Sequence, residues 1–118
     1  MKRSLARVAF LPFLLAGFPS ARAQEAQEVA EGHAIALKVC AICHVVAEDQ
    51  TQAPEMKPPA PRFSEIAARP NVTEAFLRNF LMKPHGQARS LSAMPGFLAS
   101  GPQVDAVIAY LMSLKPRP

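Results

Sequence analysis

Apolar side chains recur at helical spacing in three segments of this 118-residue chain. The first segment covers residues 27–40, contains no proline and is rich in Ala, Glu and Leu. The second begins after Thr73, a suitable N-cap residue, and is closed by Pro84. The third begins at Pro102, a residue suited to the first turn of a helix, and continues to Leu114. No segment alternates between apolar and polar residues, so the pattern predicts an all-α fold with about three main helices. The predicted apolar faces consist of Val29, Gly32, Ala36 and Leu37, then Phe76, Leu77, Phe80 and Leu81, and finally Val104, Val107, Ile108, Leu111 and Met112.

Two long irregular segments separate these helices. The first covers residues 45–62, and its prolines exclude regular structure. They are Pro54, Pro58, Pro59 and Pro61. Ser64 is predicted to cap a short helical turn that extends through Ala68 and stops before Pro70. The second irregular segment covers residues 83–101. Loops of this length are unusual in a compact domain unless they wrap around something, so a bulky apolar group other than protein is expected at the centre.

The first part of the chain has the layout of a secretory signal peptide. Three basic side chains come first, and residues 8–18 then form an apolar run with only two interruptions. Ala21 and Ala23 place small residues at the −3 and −1 positions of a cleavage site. An uncleaved membrane anchor would need an apolar run of about 20 residues. The sequence therefore predicts a leader of residues 1–23, a mature domain of residues 24–118 and a periplasmic location.

The formal net charge of +4 belongs entirely to the predicted leader. Residues 1–23 contain four of the 13 basic side chains and none of the nine acidic ones, which leaves nine of each in the mature chain. Nucleic acid is therefore not an expected partner, because a basic stripe interleaved with aromatic residues is also missing. The charges are nevertheless divided, with a balance of −5 over residues 24–56 and +5 over residues 57–118.

The most informative motif lies at the end of the first predicted helix, where residues 40–44 read Cys-Ala-Ile-Cys-His. In such a run two thiols can form thioethers with the vinyl groups of a haem, and the imidazole then lies beneath the iron. A thioredoxin-type redox pair would need a βαβ context. A zinc site would need a second ligand pair, and only His33, expected to be exposed, and His85 remain. A local disulfide would not require His44. Together with the export signal, the motif predicts one haem c, bound covalently through Cys40 and Cys43.

With this motif, the mature chain resembles the class I c-type cytochromes, the monohaem proteins of periplasmic and respiratory electron transfer. Gly32 matches a glycine at the crossing of the family's first and last helices, and Tyr110 matches the aromatic residue that packs there. Pro61 and Phe63 match the family's Pro-x-Leu segment, whose proline carbonyl accepts a hydrogen bond from the proximal histidine. Ala36 departs from the pattern, because the family usually has a large residue there, and this weakens the expectation of a tight crossing. The resemblance implies a small cytochrome c fold, with long loops wrapped around one haem.

A sixth iron ligand is expected in the late loop. Met94, some fifty residues after His44, matches the family's distal methionine. Residue types also favour Met94, because Met82 and Met112 lie in predicted helices, where a methionine usually fills the core. His85, which lies in a loop, is the rival for this position.

Iron held by His44 and a thioether has no open position for a substrate, so the predicted chemistry is one-electron Fe(III)/Fe(II) exchange and not catalysis. The sequence thus predicts a periplasmic electron carrier without a membrane span after cleavage. Its partners would be a redox protein donor and acceptor, such as a dehydrogenase subunit or a terminal oxidase. Two alternatives stay open. The chain could be the cytochrome subunit of a periplasmic dehydrogenase complex, or a ligand-binding or sensing haem protein in which Met94 does not bind iron.

Overall fold

The computed structural model describes residues 20–83 and 101–117. The helices in these residues are α1 (Ala21–Val39), α2 (Phe63–Ala67), α3 (Glu74–Leu81) and α4 (Gly101–Ser113), and a 3-10 turn (Cys40–Ile42) directly follows α1. The described part of the chain has no β-strand and only one isolated bridge, between His44 and Ala60. The predicted all-α class is therefore confirmed. None of the described helices is both long and apolar enough to cross a membrane.

Helix α1 begins six residues earlier than the apolar pattern predicted. Ser20 is its N-cap, and the Ser20 hydroxyl accepts a hydrogen bond from the backbone N–H of Ala23 at 3.4 Å. A capping side chain satisfies one of the backbone donors that a helix leaves free at its start. Residues 21–23, which the sequence assigns to the leader, therefore belong to this helix.

The two short helices begin at different kinds of cap. The predicted cap at Ser64 is wrong, because α2 already begins at Phe63. The Glu65 carboxylate accepts the backbone N–H of Arg62 at 3.1 Å, and this bond fixes the entry into α2 one residue earlier. The cap at Thr73 is confirmed, since the Thr73 hydroxyl accepts the backbone N–H of Phe76 at 3.1 Å.

Helices α1 and α4 cross at Gly32. A Cβ atom at Gly32 would lie 1.9 Å from the carbonyl oxygen of Ala106 and 2.8 Å from the Cβ of Tyr110. No side chain larger than hydrogen fits this contact. Ala36, one helical turn later, is fully buried. The crossing is therefore tight although Ala36 is small, because the approach of the two backbones is decided at Gly32.

The apolar core joins the crossing to α2, α3 and the segment after the 3-10 turn. Only half of the predicted stripe of α3 takes part in it: Leu77 and Leu81 are buried, whereas Phe76 and Phe80 are about 40% exposed. Among the described helices α3 packs against α4 alone, so a single edge of α3 is covered. The rings of Phe76 and Phe80 stack on each other at 5.6 Å. The buried core residues are Ala36, Val46, Phe63, Val72, Leu77, Leu81, Val104, Val107, Ile108, Tyr110 and Leu111.

Candidate functional site

A tight turn at the end of α1 gathers the two cysteines and the histidine of the motif. The backbone N–H groups of Cys43 and His44 both donate to the carbonyl oxygen of Cys40, at 3.1 and 2.9 Å. The two thiols are free and partly exposed. Ile42, between them, is 53% exposed, so this side of the turn faces solvent. The turn therefore presents both thiols next to His44.

The imidazole of His44 is held in one orientation. Its Nδ1 atom lies 2.7 Å from the carbonyl oxygen of Pro61, and the histidine is only 8% exposed. A carbonyl oxygen can only accept, so the ring proton is on Nδ1 and the lone pair is on Nε2. In metal-binding histidines, a hydrogen bond from the ring nitrogen that does not bind the metal fixes the tautomer and the direction of the ring. His44 is thus prepared to bind a metal through Nε2.

The proline-rich segment folds back along the motif and brings Pro61 to His44. The backbone N–H of Ala60 donates to the carbonyl oxygen of Cys43 at 2.9 Å, and that of Phe63 donates to the carbonyl oxygen of Val45 at 3.0 Å. The Phe63 ring meets the imidazole of His44 edge to face, with the ring centroids 5.4 Å apart. The structure thus brings Pro61 and Phe63 next to His44.

The first thiol of the motif does not have the character of a redox-active cysteine. Burial raises the pKa of Cys40 to about 11, and the neighbouring charge of Cys43 adds to the shift. Dithiol oxidoreductases depend on a lowered thiol pKa, because the thiolate is the attacking species. The shift at Cys40 therefore argues against a thioredoxin-type pair.

Comparison with known proteins agrees with this geometry. The sequence pattern of the family described as Cytochrome c matches residues 29–115, which include the turn, the proline-rich segment and α4. The chain belongs to the cytochrome c family. It is 33% identical to Cytochrome c-552 of Bradyrhizobium diazoefficiens over 103 residues, which cover 87% of this chain and 90% of that protein. No solved structure matches this cytochrome significantly.

Membership of this family confirms the resemblance to class I c-type cytochromes and the predicted cofactor. This cytochrome carries haem c, bound covalently through Cys40 and Cys43, and it functions in electron transfer. The residues described above fit the cofactor, since two unpaired thiols lie in one turn beside an imidazole whose Nε2 carries the lone pair.

The hydrogen bonds of two side chains near the site do not follow from the sequence pattern. Gln50 bonds to three backbone groups around His44, and the Tyr110 hydroxyl donates to the carbonyl oxygen of Val46 at 2.9 Å. A glutamine in a loop has no pattern that predicts its partners. Tyr110 was identified only for its ring, because 64 residues separate it from Val46 and the sequence does not show that they meet.

His33 differs from its expected exposure. Its side chain is 31% exposed, and its Nε2 atom lies 3.0 Å from the carboxylate oxygen Oδ1 of Asp49. Its ring also contacts that of Tyr110, at a centroid distance of 5.0 Å. His33 therefore links α1 to the loop after the motif. The two residues considered for the sixth ligand position, Met94 and His85, lie outside the described residues.

Proposed function

We propose that this chain is an exported, periplasmic one-electron carrier whose haem iron is held by His44 and Met94. The observation that carries the proposal is the bond of 2.7 Å between Nδ1 of His44 and the carbonyl oxygen of Pro61. Because this bond occupies Nδ1, it supports a role for Nε2 as the proximal iron ligand. Pro61 orients the ligand in this proposal, and Phe63 forms the wall beside it.

When bound, the haem would supply one-electron Fe(III)/Fe(II) exchange, and the residues that hold it would limit rearrangement between the two states. His44 is suited to this role because its ring is buried, hydrogen-bonded and in contact with Phe63. A ligand fixed on several sides rearranges little when the charge at the iron changes. Met94 would complete the coordination and leave no position for a substrate, so the proposal is a carrier and not a catalyst.

An exposed apolar surface beside the thioether positions supports contact with redox partners. Val39 and Ile42, next to Cys40 and Cys43, are 48% and 53% exposed. Transient electron-transfer contacts are small, and charge guides their encounter. A donor and an acceptor that meet this side of the turn would approach the covalently held edge of the cofactor.

Export is the second part of the proposal. The leader of residues 1–23 precedes the family match, which begins at residue 29, so its cleavage would leave the matched domain intact. Because c-type haem is attached outside the cytoplasm, the chain would need an export signal to receive its cofactor.

The experiment is expression of the full chain in a bacterium that can attach c-type haem, followed by cell fractionation and mass spectrometry. We expect a periplasmic protein that begins at Gln24 and retains haem after denaturation. A protein that stays in the cytoplasm, or one that loses haem on denaturation, would contradict the proposal. Copurification with a large partner subunit would favour the dehydrogenase-subunit alternative.

The proposed ligand Met94 is tested with the variants Met94→Ala and His85→Ala. Met94→Ala is expected to remove the methionine-to-iron charge-transfer band, to lower the reduction potential and to let the reduced protein bind carbon monoxide. His85→Ala is expected to change none of these. The reverse result would assign the iron ligand to His85. Wild-type protein that binds carbon monoxide readily at neutral pH would favour a sensing role.

A further inference from the structure

The side chain of Gln50 binds the chain segment that leaves the haem motif. Its Oε1 atom accepts the backbone N–H of Val46 at 2.8 Å. Its Nε2 atom donates to the carbonyl oxygen of His44 at 3.3 Å and to that of Gln52 at 2.7 Å. The Gln50 amide therefore pairs with the carbonyl of His44 and with the N–H of Val46, the two backbone groups on either side of Val45.

Two of the three backbone groups that Gln50 binds belong to buried residues, whereas Gln52 is exposed. Val46 is 2% exposed and His44 is 8% exposed. If the Gln50 amide were removed, a buried N–H and a buried carbonyl would lose their partner, which is unfavourable unless the backbone moves. Movement at His44 would directly change the distance between its Nδ1 atom and Pro61.

The same segment is also held by α4 and by the start of α2. The Tyr110 hydroxyl donates to the carbonyl oxygen of Val46 at 2.9 Å, and the backbone N–H of Phe63 donates to that of Val45 at 3.0 Å. In residues 20–83 and 101–117, only the Gln50 amide binds the backbone carbonyl of His44 itself. Within the described residues, Gln50 thus controls the backbone of the proposed ligand more directly than Tyr110 does.

We propose that Gln50 is a positioning residue for His44: its amide fixes the His44 backbone so that the imidazole keeps its bond to Pro61. This inference rests on the proposed role of His44 as the proximal ligand. It assigns a function to a glutamine outside the motif that acts through hydrogen bonds and has no direct contact with the iron.

The test measures hydrogen exchange of the His44 Nδ1 proton by NMR in the reduced holoprotein. Exchange requires opening of the bond to Pro61, so its rate reports the population of the open state. Gln50→Leu removes both the amide donor and the amide acceptor and keeps a side chain of similar length. Gln50→Glu keeps an acceptor for the N–H of Val46 but loses the donor to the carbonyl of His44. We expect exchange to be roughly tenfold faster in both variants, as loss of a buried hydrogen bond implies.

Two control variants separate positioning from general destabilisation. Gln52→Ala alters an exposed side chain but keeps the backbone carbonyl that Gln50 binds, and Thr73→Ala removes the cap of α3. In Gln52→Ala, the His44 Nδ1 proton should exchange as fast as in wild type. In Thr73→Ala, it should exchange more slowly than in a Gln50 variant of equal thermal stability.

Equal exchange rates in the Gln50 and Thr73 variants at equal stability would overturn the positioning role and leave the proposed function intact. Wild-type protein without covalent haem would overturn the proposed function, and this inference with it. Gln50→Glu keeps the test decisive if Gln50→Leu fails to fold.

Discussion

Two regions of this cytochrome are held together by different forces. The helix crossing, formed by Gly32 and Ala36 on α1 with Ala106 and Tyr110 on α4, depends on close packing of backbone and apolar side chains. The motif loop, residues 40–63, depends on hydrogen bonds to its backbone from other parts of the loop and from α4. Shape complementarity therefore dominates in one region and directional bonding in the other.

This difference predicts different consequences of mutation. Packing at the helix crossing is shared by many atoms, so a defect there should lower the free energy of unfolding of the whole domain. The motif loop is held by individual hydrogen bonds, and several of them fix backbone or ring groups at or next to His44. A defect in the loop should therefore alter the ligand environment more than it lowers global stability. The following variants test this contrast.

Gly32→Ala should have the largest effect on stability. The added Cβ would overlap the carbonyl oxygen of Ala106, so α1 and α4 must separate. We expect a loss of about 3 kcal/mol or more in the free energy of unfolding, measured by guanidinium denaturation of the holoprotein. Gly101→Ala is the matched control, since a Cβ at Gly101 meets no atom within 4 Å and should change stability by less than about 0.5 kcal/mol. Equal midpoints for the two variants would contradict the tight crossing.

Tyr110→Phe removes a hydroxyl that joins the helix crossing to the motif loop. The buried carbonyl of Val46 loses its donor, at an expected cost of about 1–2 kcal/mol. Burial, with a smaller contribution from the charge of Asp49, raises the pKa of Tyr110 above its ordinary value of 10.0. The folded state therefore holds this proton more tightly than the unfolded chain does.

The stability that this proton provides is complete below pH 10 and is lost as the pH rises through the folded-state pKa. The difference between wild type and Tyr110→Phe should therefore narrow in alkaline solution, as measured by denaturation at several pH values. Ser113→Ala removes a hydroxyl that donates to the Tyr110 carbonyl oxygen at 2.6 Å, and its effect should not depend on pH. A constant difference for Tyr110→Phe up to strongly alkaline pH would contradict this role of the phenol.

Phe63→Leu should have a smaller effect on stability and a clear effect on the site. Leucine is the residue of the family pattern at this position, and an apolar exchange of similar volume typically costs about 1 kcal/mol. The edge-to-face contact with His44 is lost, so the NMR signals of the imidazole should shift. Thermal unfolding and NMR of the reduced protein measure the two effects. A large loss of stability with unchanged His44 signals would assign Phe63 to the core alone.

His33→Ala should have the smallest effect. The side chains of His33 and Asp49 are 31% and 64% exposed; their contact is an ion pair only when the imidazole is protonated, and exposed pairs of this kind contribute roughly 0–1 kcal/mol. Any loss measured by denaturation at low salt should shrink at high salt, because exposed charges are screened. Asp49→Asn should change the free energy of unfolding by about the same amount as His33→Ala. A larger loss that persists at high salt would show that the His33 ring is needed for its contact with Tyr110.

Much of the fold was predictable because helices depend on local spacing. Thr73 and Pro102 were placed correctly at helix starts, and the buried side of α4 follows the apolar pattern. The predicted starts of α1 and α2 were wrong, because hydrogen bonds to the side chains of Ser20 and Glu65 fix both helix starts earlier than the sequence pattern indicates. The exposed rings on α3 were missed, since spacing predicts an apolar face but not how much of it a neighbouring helix covers.

The sequence alone determined the cofactor chemistry, because the two thiols and the imidazole lie within five consecutive residues and a short turn is enough to bring them together. The motif needs no distant partner to be recognised. Apart from the Pro61 acceptor, which the family resemblance implied, the tertiary structure decided how the imidazole and its backbone are held, because the groups around them come from separate parts of the chain. Pro61 lies 17 residues after His44, and Tyr110 lies 64 residues after Val46. Gln50 is close in sequence, but its bonds require the loop to turn back on itself. Hydrogen bonds over such separations depend on the path of the folded backbone, which local spacing does not encode.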